Sequence, residues 1–518
     1  MTRWDEQCDV LVVGSGGGAL TGAYVAGREG LSVAVIEATD RFGGTTAYSG
    51  GGMWFPCNAV LRRAGDDDTM EAARTYFRSV VGKRTPRELQ DSFLDNGAPL
   101  IDYLEADPNF EFRVFPWPDY FGSAPQARAG GRHIIPESLS ADRIGTLRDA
   151  LRPPLATDRL GHELPAELGG GQALIGRLLL ALSGQPHTAM HRETTCEELI
   201  VEDGAVVGVL ASRGGKSVAI RTRRGVLLAA GGFERNAQLR EQWGVPGSVA
   251  GSMGAPGNTG RALQAALRAE ADTDLLEEAW WAPGMIHPDG TSTFSLWLTG
   301  GIFVNGDGAR FTNESWPYDR IGRDIIDGLD KGSLELPFWM VYDDRAGDVP
   351  PVRSTSVPMA SSEEYARAGL RHSASSLGEL AECIGVPADA LGATVERFNR
   401  MVARGVDEDF HRGAEPYDNA FAGAGGSPLV PIEQPPYHAT AFGLSDLGTK
   451  GGLRTDNAAR VLDRAGLPIS GLYAAGNSMA AVSGTSYPAG GNPIAASMVF
   501  SYLAALDMAG TADRNPPG

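Results

Sequence analysis

Hydrophobic positions at the start of the chain follow two periods in turn. Val10 to Val13 is a run of β-favouring apolar residues, Ala19 to Arg28 has the spacing of an amphipathic helix, and Leu31 to Ile36 is a second strand-like run closed by Glu37. Between the first strand and the helix lies Gly14-Ser15-Gly16-Gly17-Gly18-Ala19. A Gly-x-Gly-x-x-Gly/Ala motif alone is weak, but here it sits in the strand–turn–helix–strand–acid context that a dinucleotide needs. Gly14 permits the tight turn, Gly16 lets a pyrophosphate approach the backbone, and Ala19 packs closely on the strand in place of a third glycine. The helix N-terminus offers free N–H groups and positive partial charge to phosphate. Glu37 accepts both ribose hydroxyls, which argues for a free ribose over a 2′-phosphate.

The same reading continues along the chain. Residues from about Asp68 to Leu104 have helical spacing, Arg113 to Pro136 reads as irregular, and Gly169-Gly170-Gly171-Gln172 precedes an apolar helix from Ala173 to Leu182. Strands follow at Leu199 to Val201, Val206 to Ala211, Val218 to Thr222 and Val226 to Ala230, with Glu202-Asp203-Gly204 as a hairpin turn. From about Trp280 to Pro436 the composition shifts to Trp, Pro and Phe, with helices at Ser361 to Gly369, Ser375 to Ile384 and Pro387 to Ala403. Strand-like runs then return, ending in Gly471-Leu-Tyr-Ala-Ala-Gly476-Asn477 and a last apolar helix from Asn492 to Met508.

At 518 residues the chain is too long for one core, so two domains are expected. The net charge of −19 repels phosphate backbones and anionic lipid, which argues against nucleic acid as a partner. The four cysteines are scattered without a C-x-x-C pair, so a disulfide framework, a zinc site and an iron–sulfur cluster are disfavoured and no metal is expected. No apolar run reaches the roughly 18 residues of a membrane span. The first strand begins within ten residues of Met1, which leaves no room for a signal peptide. A cytoplasmic enzyme is expected, with peripheral membrane association if its substrate is lipid-like.

The amino-terminal unit, the return strand Val226 to Gly232 and the segment Gly471 to Gly476 together resemble the two-domain flavoproteins of the succinate dehydrogenase/fumarate reductase superfamily, over nearly the whole chain. Within it, three motifs resemble the 3-ketosteroid Δ1-dehydrogenases: Trp117-Pro118-Asp119-Tyr120, Arg310-Phe-Thr-Asn-Glu314-Ser-Trp-Pro-Tyr318 and Ser486-Tyr487-Pro-Ala-Gly490-Gly491. The resemblance implies an α/β protein: a Rossmann-like FAD-binding domain (1–279 and 440–518) with an inserted α+β substrate domain (280–439). It implies non-covalent FAD, since the loop Thr45 to Gly52 has no histidine to attach it. The implied contacts are Gly14, Gly16, Gly17, Gly18, Ala19, Glu37, Ala38, Gly43, Gly44, Thr45, Thr46, Ser49, Gly50 and Gly51. To these it adds Ala205, Val206, Ala230, Gly231, Gly476, Asn477, Asn492, Pro493 and Ile494.

The resemblance also implies a reaction. Desaturating C1–C2 of a 3-keto A ring removes a proton from C2 and a hydride from C1, the latter to the flavin. Tyr318 takes the proton, Tyr120 eases its proton loss, and the Tyr487 hydroxyl with the Gly491 amide polarises the C3 carbonyl. After this tyrosine the family usually reads glycine-rich and then Thr-Ile-Gly-Pro, whereas this chain reads Gly490-Gly491-Asn492-Pro493-Ile494-Ala495-Ala496, so Gly490 is an alternative to Gly491. A 3-ketosteroid substrate and a separate electron acceptor are the expected partners. Trp117, Phe121, Trp297 and Trp316 are candidates for an apolar slot. Two related activities compete: 3-ketosteroid Δ4-(5α)-dehydrogenation, and fumarate reduction with Arg320 and Arg323 clamping a dicarboxylate. A non-catalytic flavin-binding protein is the third reading.

Overall fold

The computed structural model describes residues 3–161, 163–354, 357–422 and 426–511. The first strand, β1 (Glu6–Val13), is buried on both faces along its apolar half and lies at the centre of an eight-stranded sheet. It pairs in parallel with β2 (Val33–Ile36) on one side and with the long strand Lys216–Leu228 on the other. Thr188–His191 extends the sheet beyond β2, and Pro468–Ala474 extends it beyond Lys216–Leu228, again in parallel. Parallel strands covered by helices read as continuous apolar runs, and Val10 to Val13 and Val33 to Ile36 do so.

Helix α1 (Gly17–Arg28) covers this sheet and packs against the last helix, Asn492–Ala509. Their approach is close because Gly18 has no side chain: a Cβ there would stand 2.7 Å from the Ser497 carbonyl oxygen. The turn before α1 is equally tight. Gly14 has φ +104°, and a Cβ would fall 2.3 Å from the Ala229 carbonyl oxygen at the end of the neighbouring strand.

The segment that follows Trp280 carries both strands and helices, as expected of an α+β insertion. It contributes a seven-stranded antiparallel sheet in the order Ile302–Val304, Phe338–Asp343, Tyr437–Thr449, Ala279–Ile286, Ser292–Leu296 and Arg353–Ser354, with Arg371–Ala374 added on Tyr437–Thr449. Its strands are almost wholly buried, so they lack the alternation that marks a half-exposed strand. The three expected helices are present at Ser362–Arg367, Leu377–Ile384 and Ala388–Arg404. Helix Tyr318–Asp330 lies on strand Ala279–Ile286, with Gly322 against the backbone of Trp281 and Ala282.

Two further differences bear on the site. The helical stretch from Asp68 is two helices, Met70–Val81 and Arg87–Glu105, because Gly82 takes φ +65° at the end of the first. The stretch from Arg113 is bounded by strands Phe112–Val114 and His133–Pro136, which join Met53–Trp54 in a small sheet. The loop between these strands carries Trp117 and Tyr120. All four cysteines are free thiols. Among the described residues no helix is long and apolar enough to cross a membrane.

Candidate active site

One cavity of about 510 Å³ runs from the β1–α1 turn to a cluster of tyrosines. At its first end Glu37 closes β2 and is 7 % exposed. Its Oε2 accepts from Ser15 Oγ at 2.5 Å, and its Oε1 accepts from the amide and hydroxyl of Thr39 at 2.9 and 2.8 Å. A carboxylate has about four acceptor sites, so this orientation leaves capacity for a ribose hydroxyl. The phosphate-facing stretch is Gly14, Gly16, Gly17, Gly18 and Ala19, with Gly16 as the N-cap of α1. Across from it lies the turn Gly44–Tyr48, whose Thr46 Oγ1 accepts from the Gly17 amide at 3.0 Å. Thr45 Oγ1 accepts from the Ala255 amide and Asn258 Nδ2, both at 3.0 Å, which joins this turn to the residues after the return strand.

Most of the residues expected to hold a dinucleotide line this cavity: besides those above, Ala38, Ser49, Gly50, Gly51, Ala230, Gly231, Gly476, Asn477, Pro493 and Ile494. Four do not. Ala205 and Val206 open the second strand of the hairpin Thr194–Glu202/Ala205–Arg213 and pair with Glu202 and Val201, away from the cavity. The wall there is Thr194, Thr195 and Cys196 instead, brought to Glu37 by the Thr194 amide bonding the Glu37 carbonyl at 2.8 Å. Gly43 shapes the turn from behind, with φ +125° and its amide on Ser15 Oγ at 3.0 Å. Asn492 opens the last helix but faces a separate cavity of about 20 Å³.

The other end of the cavity is aromatic. Tyr318 is the first residue of its helix, with Pro317 as N-cap fixing the entry of the chain. Tyr487 lies in the loop before the last helix, and Tyr120 in the loop of the small sheet. All three are buried and line the cavity. The Tyr318 hydroxyl donates to Tyr487 Oη at 2.9 Å, and the Gly491 amide is directed at the same oxygen. Gly491 holds φ +75° at the N-cap of the last helix, where a Cβ would stand 2.3 Å from the Gly52 carbonyl oxygen. Gly490 packs differently, with a Cβ position 2.8 Å from Tyr120 Oη and 3.0 Å from Trp117 Nε1.

Tyr120 Oη is buried without a hydrogen-bond partner of normal geometry, and Tyr318 and Trp117 are the polar groups beside it. Burial raises the pKa of Tyr120, Tyr318 and Tyr487 above the ordinary phenol value, so all three stand neutral. The residue before Tyr120 is Asp119, buried, accepting from Trp54 Nε1 at 3.0 Å and from Arg132. The residue after Tyr318 is Asp319, buried, 3.7 Å from Lys450 Nζ. Trp117, Trp280, Phe294, Leu296 and Trp297 complete the apolar walls.

Phe121 and Trp316 are not part of that slot. They flank the Arg320 guanidinium, which lies 5.2 and 3.8 Å from their rings. Arg320 is itself paired with Glu415 at 2.6 Å, and Arg323 with Glu278. Neither arginine lines the cavity, so neither is offered to a dicarboxylate. His287 is held on both ring nitrogens, by Tyr365 at 2.8 Å and Thr293 at 2.7 Å, and is structural.

A continuous cavity with a ribose-type carboxylate at one end, a glycine turn at a helix N-terminus along it, and the start of a second helix at the other fits an extended dinucleotide such as FAD. The family model described as FAD binding domain matches residues 9–494. The class is therefore an FAD-binding flavoprotein.

Relatives narrow it. The 3-oxosteroid 1-dehydrogenase of Rhodococcus opacus is 39% identical over 98% of this chain and 100% of its own length. The 4-oxocyclohexanecarboxylate 2-dehydrogenase of Sinomonas cyclohexanicum is 35% identical over 97% of this chain and 93% of its own. The crystal structure of 3-ketosteroid Δ1-dehydrogenase from Sterolibacterium denitrificans, in complex with 1,4-androstadiene-3,17-dione, superposes with a TM-score of 0.89 at 31% identity, covering 98% of this chain and 100% of that one. The chain belongs to the 3-oxosteroid 1-dehydrogenase family of FAD-dependent flavoenzymes.

Proposed function

We propose that this enzyme introduces the C1–C2 double bond into the A ring of a 3-ketosteroid. The observation that carries the reading is the Tyr318–Tyr487 hydroxyl pair at 2.9 Å, aimed into the cavity that also fits the cofactor. Tyr487 and the Gly491 amide lie beside each other at the start of the last helix, which places two donors within reach of a single carbonyl oxygen. With the C3 oxygen held there, its C2 proton is acidified next to Tyr318. Tyr318 takes the C2 proton as its phenolate and becomes a neutral phenol; burial keeps that phenolate scarce, so the step gains as pH rises, and a hydrogen bond from Tyr120 beside it eases the ionisation. The apolar walls exclude water and orient the fused rings. When bound, FAD supplies the two-electron oxidant.

We assign residues 1–279 and 440–518 to a cofactor-binding domain and 280–439 to a substrate domain, with Tyr120, Tyr487 and Gly491 reaching the substrate from the first; residues 1, 2, 162, 355, 356, 423–425 and 512–518 lie outside the described residues. Phenol pairs and apolar walls have no means of holding two carboxylates, which supports a neutral ketone over fumarate. The test is an anaerobic titration of the purified holoenzyme with 4-androstene-3,17-dione. Bleaching of the flavin with formation of 1,4-androstadiene-3,17-dione is expected. A flavin that ignores this steroid and responds to a 5α-saturated ketosteroid, to 4-oxocyclohexanecarboxylate or to succinate overturns the assignment and names the substrate class that replaces it.

A further inference from the structure

Behind the tyrosine pair lies a buried lysine that the reaction does not use. Lys450 follows strand Tyr437–Thr449 and is 0% exposed. Its ammonium donates to the Thr485 carbonyl at 3.0 Å and the Ser486 carbonyl at 3.4 Å, the two residues before Tyr487. It stands 3.7 Å from Asp319, the residue after Tyr318. It also lies 4.3 Å over the ring of Trp280, whose edge meets the Tyr487 ring at a centroid distance of 5.0 Å. Arg323 adds a second bond to the Thr485 carbonyl at 2.8 Å. The groups facing Lys450 are Asp319 and Arg323 from the helix and Glu278 ahead of strand Ala279–Ile286.

Burying an ammonium costs several kcal/mol unless it is well paired. An apolar side chain fills space at no such cost, so filling space does not explain a cation here. Its direct contacts do: the Thr485 and Ser486 carbonyls and Asp319 lie next to Tyr487 or Tyr318 in the chain, and the Trp280 ring touches Tyr487. We propose that Lys450 is a positioning residue for Tyr487, fixing its phenol as a donor to the substrate carbonyl in register with Tyr318. This rests on the reading above that Tyr487 binds a ketone.

The test is a double-mutant cycle on the holoenzyme, read as the affinity for 1,4-androstadiene-3,17-dione from its perturbation of the flavin spectrum. Lys450→Met is expected to weaken binding about tenfold, and Lys450→Gln, which keeps a donor, about threefold or less. In a Tyr487→Phe background, Lys450→Met is expected to cost less than about twofold, because the group it positions is gone. A space-filling lysine gives additive effects, and additivity overturns the proposal. A second reading needs no variant at position 450. Burial lowers the Lys450 pKa to about 8, so wild-type affinity should fall as pH rises through that value while Tyr487→Phe stays flat. If Lys450→Met does not fold, the cycle is run with Lys450→Gln, and additive effects there overturn the proposal. Steroid reduction of the flavin is followed separately: binding without reduction removes the proposed reaction and leaves the cycle to decide on Lys450, whereas absence of dienone binding removes both.

Discussion

Replacing Tyr318 by Phe removes one oxygen from the centre of the site. The ring stays packed edge-on against Phe294 at 4.6 Å and Tyr120 at 5.6 Å, so no cavity larger than a hydroxyl opens. The lost bond is the 2.9 Å contact to Tyr487. The stability loss is therefore about 1 kcal/mol. The kinetic loss is larger, because a positioned general base contributes about 10²- to 10⁴-fold, or about 3–5 kcal/mol of barrier. The assay is anaerobic single-turnover reduction of the flavin by saturating 4-androstene-3,17-dione, with dienone affinity measured in parallel. Wild-type reduction should quicken as pH rises, because burial holds the Tyr318 proton above the ordinary phenol range. The variant should lose both the rate and its pH dependence while binding the dienone within about threefold of wild type. A variant rate within about tenfold of wild type would refute Tyr318 as the base.

Gly14→Ala places a Cβ 2.3 Å from a backbone oxygen at φ +104°; strain of at least about 1–2 kcal/mol and a displaced turn should leave the purified protein depleted of flavin, checked by its flavin-to-protein ratio. His133 is buried beside Trp117, and burial lowers its pKa to about 3 against an ordinary 6.5. Between those values the unfolded chain binds a proton that the folded one refuses, so stability falls as pH drops, by on the order of 4 kcal/mol at the acid end. Urea midpoints at pH about 4 and 7 should show this slope, and His133→Gln should flatten it. The buried tyrosines work in the opposite direction. Their raised folded pKa values mean that the unfolded chain ionises first, so stability declines as pH climbs above about 10. Tyr487→Phe should blunt that decline in alkaline denaturation curves.

The nucleotide end of the site was legible because its signals are local. Gly14, Gly16 and Glu37 lie within one βαβ unit, and their spacing alone fixes the turn, the helix N-terminus and the acid. Ala205 and Val206 were misplaced because which strand runs beside Glu37 depends on the pairing of β2 with Thr188–His191, a contact across some 150 residues that leaves no mark in either segment. The α+β character of the insertion follows from the resemblance, but the positions of the strands in its seven-stranded sheet are not legible, for a different reason. Strands such as Ala279–Ile286 are buried on both faces and carry no alternation, and Gly and Pro within them read as loop. Tyr120, Tyr318 and Tyr487 were found by motif resemblance alone. Nothing in their local patterns shows that three rings so far apart in sequence share one cavity. Phe121 and Trp316 carry the same aromatic character as Trp117 and Trp297, yet they serve as a clamp on Arg320; composition cannot separate the two uses.

The three tyrosines reach the cavity from three separate parts of the fold: Tyr120 from the small sheet, Tyr318 from a helix lying on the seven-stranded sheet, and Tyr487 from the loop feeding the last helix of the nucleotide sheet. The groups suited to FAD belong mostly to the first sheet and its helices, whereas a hydrogen bond between two phenols tolerates only tenths of an ångström. Colour and competence are therefore separate properties of this protein. Warming or mild denaturant that slides one sheet against the other is expected to abolish turnover before flavin is lost, which parallel activity and absorbance measurements would show.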